Sequence, residues 1–153
     1  MPPDSTLHAE AAPSLSPSAA GCRAVLHRRL AAAPGVRATV MATVDGRAFA
    51  HAQADGQDLD AARAGAIASS LLALAEAFSR ETLRGHVQYN SIATDRGTIV
   101  VVRVPSRAST YALSVWADRS ELFAVTLRFA LDTAAQLAAT IDAPAATPVP
   151  APA

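Results

Sequence analysis

Between residues 17 and 142 the hydrophobic pattern switches repeatedly between a helical period and a period of two, and each switch predicts an element. Cys22, Val25, Leu26, Leu30 and Ala33 recur at helical spacing behind Ser16-Pro17, a cap followed by proline at the first helical position, and Pro34-Gly35 ends the run. From Val36 the period falls to two. Val36, Ala38, Val40, Ala42 and Val44 alternate with Arg37, Thr39, Met41 and Thr43, which predicts a strand with one face in a core. Arg47, Phe49 and His51 then alternate with alanines, so residues 36–52 read as a hairpin. Its corner is Asp45-Gly46, a tight two-residue turn with positive φ at both positions. Asp58 or Asp60 caps a second helix running to about Leu83, ahead of Gly85. Strands follow at 86–93 (HVQYNSIA), at 98–104 (TIVVVRV) after an Asp95-Arg96-Gly97 turn, and from Tyr111 (YALSVWA). A third helix begins near Ser120-Glu121 and carries Leu122, Val125, Phe129, Leu137 and Ile141. The order helix-strand-strand-helix-strand-strand-strand-helix is that of an α+β fold, a five-stranded, mostly antiparallel sheet with helices packed on it.

The second helix has two faces to bury. Ile67, Leu71, Leu74 and Phe78 form one stripe of large apolar groups, expected to pack on the sheet. Ala62, Ala66, Ala73 and Ala77 form another about 140° round, at ~100° per residue, and Ser69 or Ser70 fills the gap in it. Small residues let two backbones approach, so this second stripe predicts a helix–helix contact in addition to the sheet contact. Glu76 and Arg80, four apart, are expected to pair on the solvated face.

The strand at 86–93 is too polar for the middle of a sheet, with His86, Gln88, Tyr89, Asn90 and Ser91. It belongs at an edge, and it carries neither proline nor lysine to blunt that edge. An open edge beside a small-faced helix is what a symmetric dimer with a continuous sheet uses.

Composition narrows the chemistry. The chain has 153 residues, 51% of them hydrophobic and 17% charged, enough for one domain with its own core. The formal net charge is zero, which gives no electrostatic reason to expect nucleic acid or an anionic membrane as partner. All 13 basic residues are arginine. Without lysine there is no Walker-A phosphate loop, no Schiff base and no Ser-x-x-Lys nucleophile.

His8, His27, His51 and His86 are scattered, with no metal-ligand spacing, and Cys22 is alone, so neither a zinc site nor an internal disulfide is expected. Ser69 and Ser70 lie inside a helix without the glycine elbow of a serine hydrolase, and no Gly-x-Gly-x-x-Gly occurs. Arg47, Arg96, Arg103 and Arg107 lack the interleaved aromatics of a nucleic-acid surface. Trp116 reads as core. Arg63 and Glu76 interrupt the longest apolar window, so no membrane span is expected and the location is read as cytoplasmic. No enzyme activity and no cofactor are expected. Residues 1–16 and the Pro/Ala-rich 143–153 read as tails, the first disordered and the second stiffly extended, flanking a single folded domain at 17–142.

With these residues placed, the chain resembles the Roadblock family of dynein light-chain-like proteins, in its bacterial MglB-type branch, over about residues 20–142. The resemblance rests on VMATVDGRAFA, AARAGAIASSLLALAEAF, GTIVVVRV and YALSVWAD. It implies a Roadblock/profilin-like sandwich and a non-catalytic homodimer joined through the 86–93 strands and the paired second helices. It also implies a scaffold or regulator for a separate Ras-like small GTPase, with contacts near Arg63, Ser70, Glu76 and Arg80. Asp45-Gly46 is then a structural corner. A structural assembly subunit without a GTPase would use the same surfaces. A small-ligand sensor of PAS or GAF type would need an apolar pocket with convergent polar groups, which the sequence does not outline.

Overall fold

The computed structural model describes residues 16–144, so the two tails lie outside it apart from Ser16, Ala143 and Pro144. The elements are α1 (Pro17–Ala31), β1 (Val36–Thr43), β2 (Ala48–Gln53), α2 (Ala61–Thr82), β3 (Asn90–Thr94), β4 (Gly97–Val104), β5 (Tyr111–Asp118) and α3 (Phe123–Asp142). Two helices start where the cap signals place them. The Ser16 side chain accepts from Ala19 N at 3.3 Å and the Asp60 carboxylate from Arg63 N at 3.0 Å. The third helix begins at Phe123 rather than Ser120-Glu121, behind Leu122, which makes no side-chain cap bond.

The sheet runs β2-β1-β5-β4-β3, and every neighbouring pair is antiparallel. Helices cover both faces. On one side α1 and α3 enclose a core with Leu26, Met41, Val102, Leu113, Val115 and Leu137. On the other α2 lies alone, over Val101 and Ala112. This double cover changes the reading of β1. Thr39 and Met41, expected on a polar face, are as fully buried as Val40 and Ala42. The continuous apolar run of β4 has the same cause, since Val100, Val102 and Val104 face α1 and α3 while Val101 faces α2.

The hairpin corner differs in detail from the expected two-residue turn. Gly46 N donates to Thr43 O at 2.9 Å, and Thr43 N donates to Arg47 O at 2.9 Å. The loop is therefore Val44-Asp45-Gly46, a turn closed by one left-handed residue, and only Gly46 has positive φ, at 88°. The Asp45 carboxylate is tied to the Thr43 hydroxyl and to Arg47 Nε, the latter at 3.0 Å. Those contacts, the Thr43 bond first, hold its pKa below the usual carboxylate range, as expected of a turn-stabilising group.

β3 is shorter than the 86–93 strand of the sequence reading, because residues 86–89 precede the ladder. It does occupy a sheet edge, paired with β4 in unbroken register from Asn90↔Val101 to Thr94↔Gly97. Trp116 is half-buried, its Nε1 donating to Ser114 Oγ at 2.9 Å. By length and composition α2 would pass as a membrane span, contrary to the sequence reading; here it lies across the sheet.

Candidate interaction surface

The face by which α2 meets the sheet decides what the molecule offers outward. Gly65, Ala68, Ser69 and Leu72 are its buried residues. The approach is close: a Cβ on Gly65 would lie 3.2 Å from Ala42 Cβ and 3.3 Å from Ala48 N. Ser69 Oγ donates to Thr43 O at 2.7 Å and fastens the helix to the end of β1. Over the hairpin, then, only small side chains fit beneath the helix.

The large stripe consequently turns outward. Ile67, Leu74 and Phe78 are 52%, 68% and 72% exposed, and only Leu71 is half-buried. This corrects the expectation of sheet packing for Ile67, Leu74 and Phe78, while Leu71 does pack against the cluster of Val101 and Ala112. The period of 3.6 locates the stripes, but the face that goes underneath is neither of them: it is Gly65, Ala68, Ser69 and Leu72, where the backbones come close.

The expected interface residues divide. Ser69 is buried inside the protomer on its bond to Thr43 and is withdrawn from any contact outside it. Ala62, Ala66, Ser70 and Ala73 are exposed and Ala77 is half-buried, on the flank of α2 nearer the hairpin. His86, Gln88 and Tyr89 are exposed in the segment leading to β3, and Asn90 opens that strand. Tyr89 also meets the Phe123 ring at a centroid distance of 6.0 Å.

The expected partner contacts do not form one group either. Arg63 and Ser70 border the outward stripe, although the Ser70 hydroxyl donates back to Ala66 O at 2.9 Å. Glu76 does not pair with Arg80. It sits one turn from Leu72, on the sheetward flank, where Arg103 of β4 reaches it at 2.7 Å. The Arg103 hydrogen bond holds the Glu76 carboxyl below the usual glutamate range. Arg80 lies beside them, at a depression shared with Val44, Ala73 and Tyr111.

Two apolar grooves run end to end along the β3 side of α2. The first, of about 230 Å³, is walled by Ile67, Leu71, Ile92, Ile99, Val101 and Trp116, with Asp60 and Arg63 at its rim. The second lies between Leu74, Phe78 and the segment carrying Leu83, Val87 and Tyr89, and Leu71 lines both. The sequence reading missed this surface. The available signal was Gly65, since a glycine inside a helix costs up to about 1 kcal/mol and is kept where another backbone must come close. Among the described residues no three His, Cys, Asp or Glu side chains converge as a metal site.

An edge strand thus lies open beside an exposed apolar helix face, on a five-stranded antiparallel sheet backed by two further helices. Residues 24–109 match the Roadblock/LC7 domain family, and the chain belongs to that family. Solved structures share its architecture. A gliding protein MglB from Thermus thermophilus superposes with a TM-score of 0.71 at 15% identity, over 86% of this chain and 98% of that one. An MglB with a tetrameric arrangement gives 0.73 at 17% identity, over 86% and 97%. A Roadblock/LC7 domain from Streptomyces avermitilis gives 0.64 at 19%, over 73% and 90%. At such identities the likeness establishes the fold. No curated protein matches the sequence significantly.

Proposed function

We propose that this protein is a non-catalytic homodimeric scaffold that regulates a separate Ras-like small GTPase. The observation that carries the reading is the outward stripe Ile67, Leu74 and Phe78 beside the open edge of β3. Large apolar groups contiguous along three helical turns mark a surface that is covered in use. An edge strand next to them allows the cover to be a second sheet joined to the first. Membership of the Roadblock/LC7 family and the likeness to an MglB with a tetrameric arrangement support self-association.

In this reading the dimer joins through β3, the Tyr89-Asn90 approach to it and the large stripe of α2. The flank carrying Ala62, Ala66, Ser70, Ala73 and Ala77, with Arg80 and the Val44 hairpin tip, stays outward as the platform for the GTPase. The reading is tested in two stages. Light scattering on the full chain gives a dimer that falls to a monomer in Leu74→Glu but survives in Ala73→Glu. The dimer is then presented to the Ras-like GTPases of its own organism, and at least one binds and changes its GTP hydrolysis rate. A dimer that binds none of them is a structural assembly subunit instead.

A further inference from the structure

A depression of about 250 Å³ opens on the hairpin-side flank of α2. Val44, Leu72, Ala73 and Ala112 give it apolar walls, and three charged side chains share it with them: Glu76 and Arg80 of α2 and Arg103 of β4. Glu76 is already committed. Its carboxylate accepts from Arg103 Nη2 at 2.7 Å, and that bond holds it below the usual glutamate range, so it stays charged. The Glu76 side chain is 13% exposed and that of Arg103 42%, so the guanidinium gives part of its donor fork to Glu76 and keeps the rest in solvent. Arg80 is exposed, and among the described residues it has no ion-pair partner. Two cations therefore face one anion, and one of the cations is unpaired.

An unpaired arginine at an apolar hollow suits a carboxylate carried on a short apolar stem. The stem covers the walls, and the carboxylate takes the open donors of the two guanidinium groups. Charge selects among anions as well. The ionised Glu76 in the same depression repels a phosphate dianion more strongly than a carboxylate. Nor do the walls offer a phosphate many further donors, since Ser69 Oγ is spent on Thr43 O at 2.7 Å.

We propose that this depression takes an aspartate or glutamate side chain of the GTPase docked on the hairpin-side flank, with Arg80 as its direct partner and Arg103 as the second. The proposal rests on the platform reading above and adds the chemistry by which the platform selects its partner. Glu76 is a positioning residue, which sets Arg103 at the depression and makes no contact of its own with the partner. A charge pair of this kind serves the choice of partner and the rate of encounter more than raw affinity.

The test uses the full-length chain and the Ras-like GTPase of its own organism that the wild type binds. Arg80→Glu should weaken that complex at least tenfold at low salt, by a margin that shrinks as salt rises. Arg80→Gln, which sets no like charge beside Glu76, should show a smaller loss in the same direction. Arg28→Glu makes the same change of net charge on α1, across the sheet, and leaves binding intact. Each exposed acid of the GTPase is then reversed to arginine in turn. One such variant loses the wild-type scaffold and regains affinity for Arg80→Glu, which identifies the acid that enters the depression. Equal binding of wild type and Arg80→Glu overturns the proposal and leaves the platform reading standing. A loss that no reversed acid restores does the same. An Arg80→Glu chain that falls to a monomer in light scattering assigns Arg80 to the contact between copies and likewise overturns the proposal. A dimer to which no GTPase binds overturns the proposal and the platform reading together.

Discussion

Arg103, on β4, and Glu76, on α2, meet at 2.7 Å and tie the lone helix of one layer to the middle of the sheet. The Glu76 side chain is largely buried while Arg103 stays partly in solvent, so the pair is worth about 0.5–1 kcal/mol. Glu76 has its folded pKa depressed below its ordinary value of 4.5, chiefly by the Arg103 bond. A depressed acid stabilises above its unfolded pKa and loses that contribution as pH falls through its folded pKa. Asp45, Asp118 and Asp142 are shifted the same way, by the Thr43 hydroxyl, by Ser120 and by the Arg107 backbone N–H respectively. Stability should be level above about pH 5 and fall steadily below it. In a melting series from pH 7 to pH 3, Glu76→Gln should be less stable than wild type at pH 7 and converge on it at the acid end.

Arg84 closes α2 with a φ of 53°, the only non-glycine with positive φ among the described residues. A side chain in this left-handed position costs about 1 kcal/mol, and glycine relieves it at helix ends. Arg84→Gly should therefore raise the urea midpoint by the equivalent of about 0.5–1 kcal/mol without changing the slope. An unchanged or lower midpoint would show that the Arg84 side chain is itself stabilising.

Gly65 carries the closest approach of α2 to the hairpin, so volume there is resisted from two sides. Its helix propensity would improve on substitution, yet Gly65→Val should destabilise by about 2 kcal/mol or more, because the new methyls meet Ala42 and the Ala48 backbone. Gly65→Ala is milder, with the propensity gain set against contacts of 3.2 and 3.3 Å. Chemical denaturation of the two variants side by side separates these effects.

Cys22, on α1, is fully buried in the core beneath α1 and α3, and burial pushes its thiol up to about 11. A neutral, enclosed thiol is a poor nucleophile. Iodoacetamide at pH 8 should leave it unmodified in the native protein and alkylate it completely in denaturant. Rapid native labelling would mean that α1 opens from the sheet on the time scale of the assay.

The architecture was legible because it depends on periods and punctuation. Ser16-Pro17, Asp60, Pro34-Gly35 and Gly46 mark element ends by local chemistry that no tertiary contact overrides. The polar run around Gln88 and Asn90 placed its strand at an edge for the same local reason. The orientation of α2 was not legible from periodicity, which finds two stripes and ranks them by size. Where α2 crosses the hairpin at Gly65 there is no room for a large side chain, and the buried face runs through Gly65, Ala68, Ser69 and Leu72. Hydrophobicity alone therefore turns the large stripe inward, whereas Ile67, Leu74 and Phe78 are exposed. The Glu76 pairing failed similarly, since Arg80 is near in sequence while Arg103 is near in space.

The two ends of the sheet are not alike. Along β1 and β2 the ladder slips between Met41 and Ala42, and β2 carries that irregularity to its outer side. Along β3 the ladder is regular to its last pair. A strand seeking a template finds a true one at β3 and a warped one at β2. In the dimer proposed above, β3 is used up and the edge left over is the irregular β2, a poor template from which to extend the sheet into a fibre.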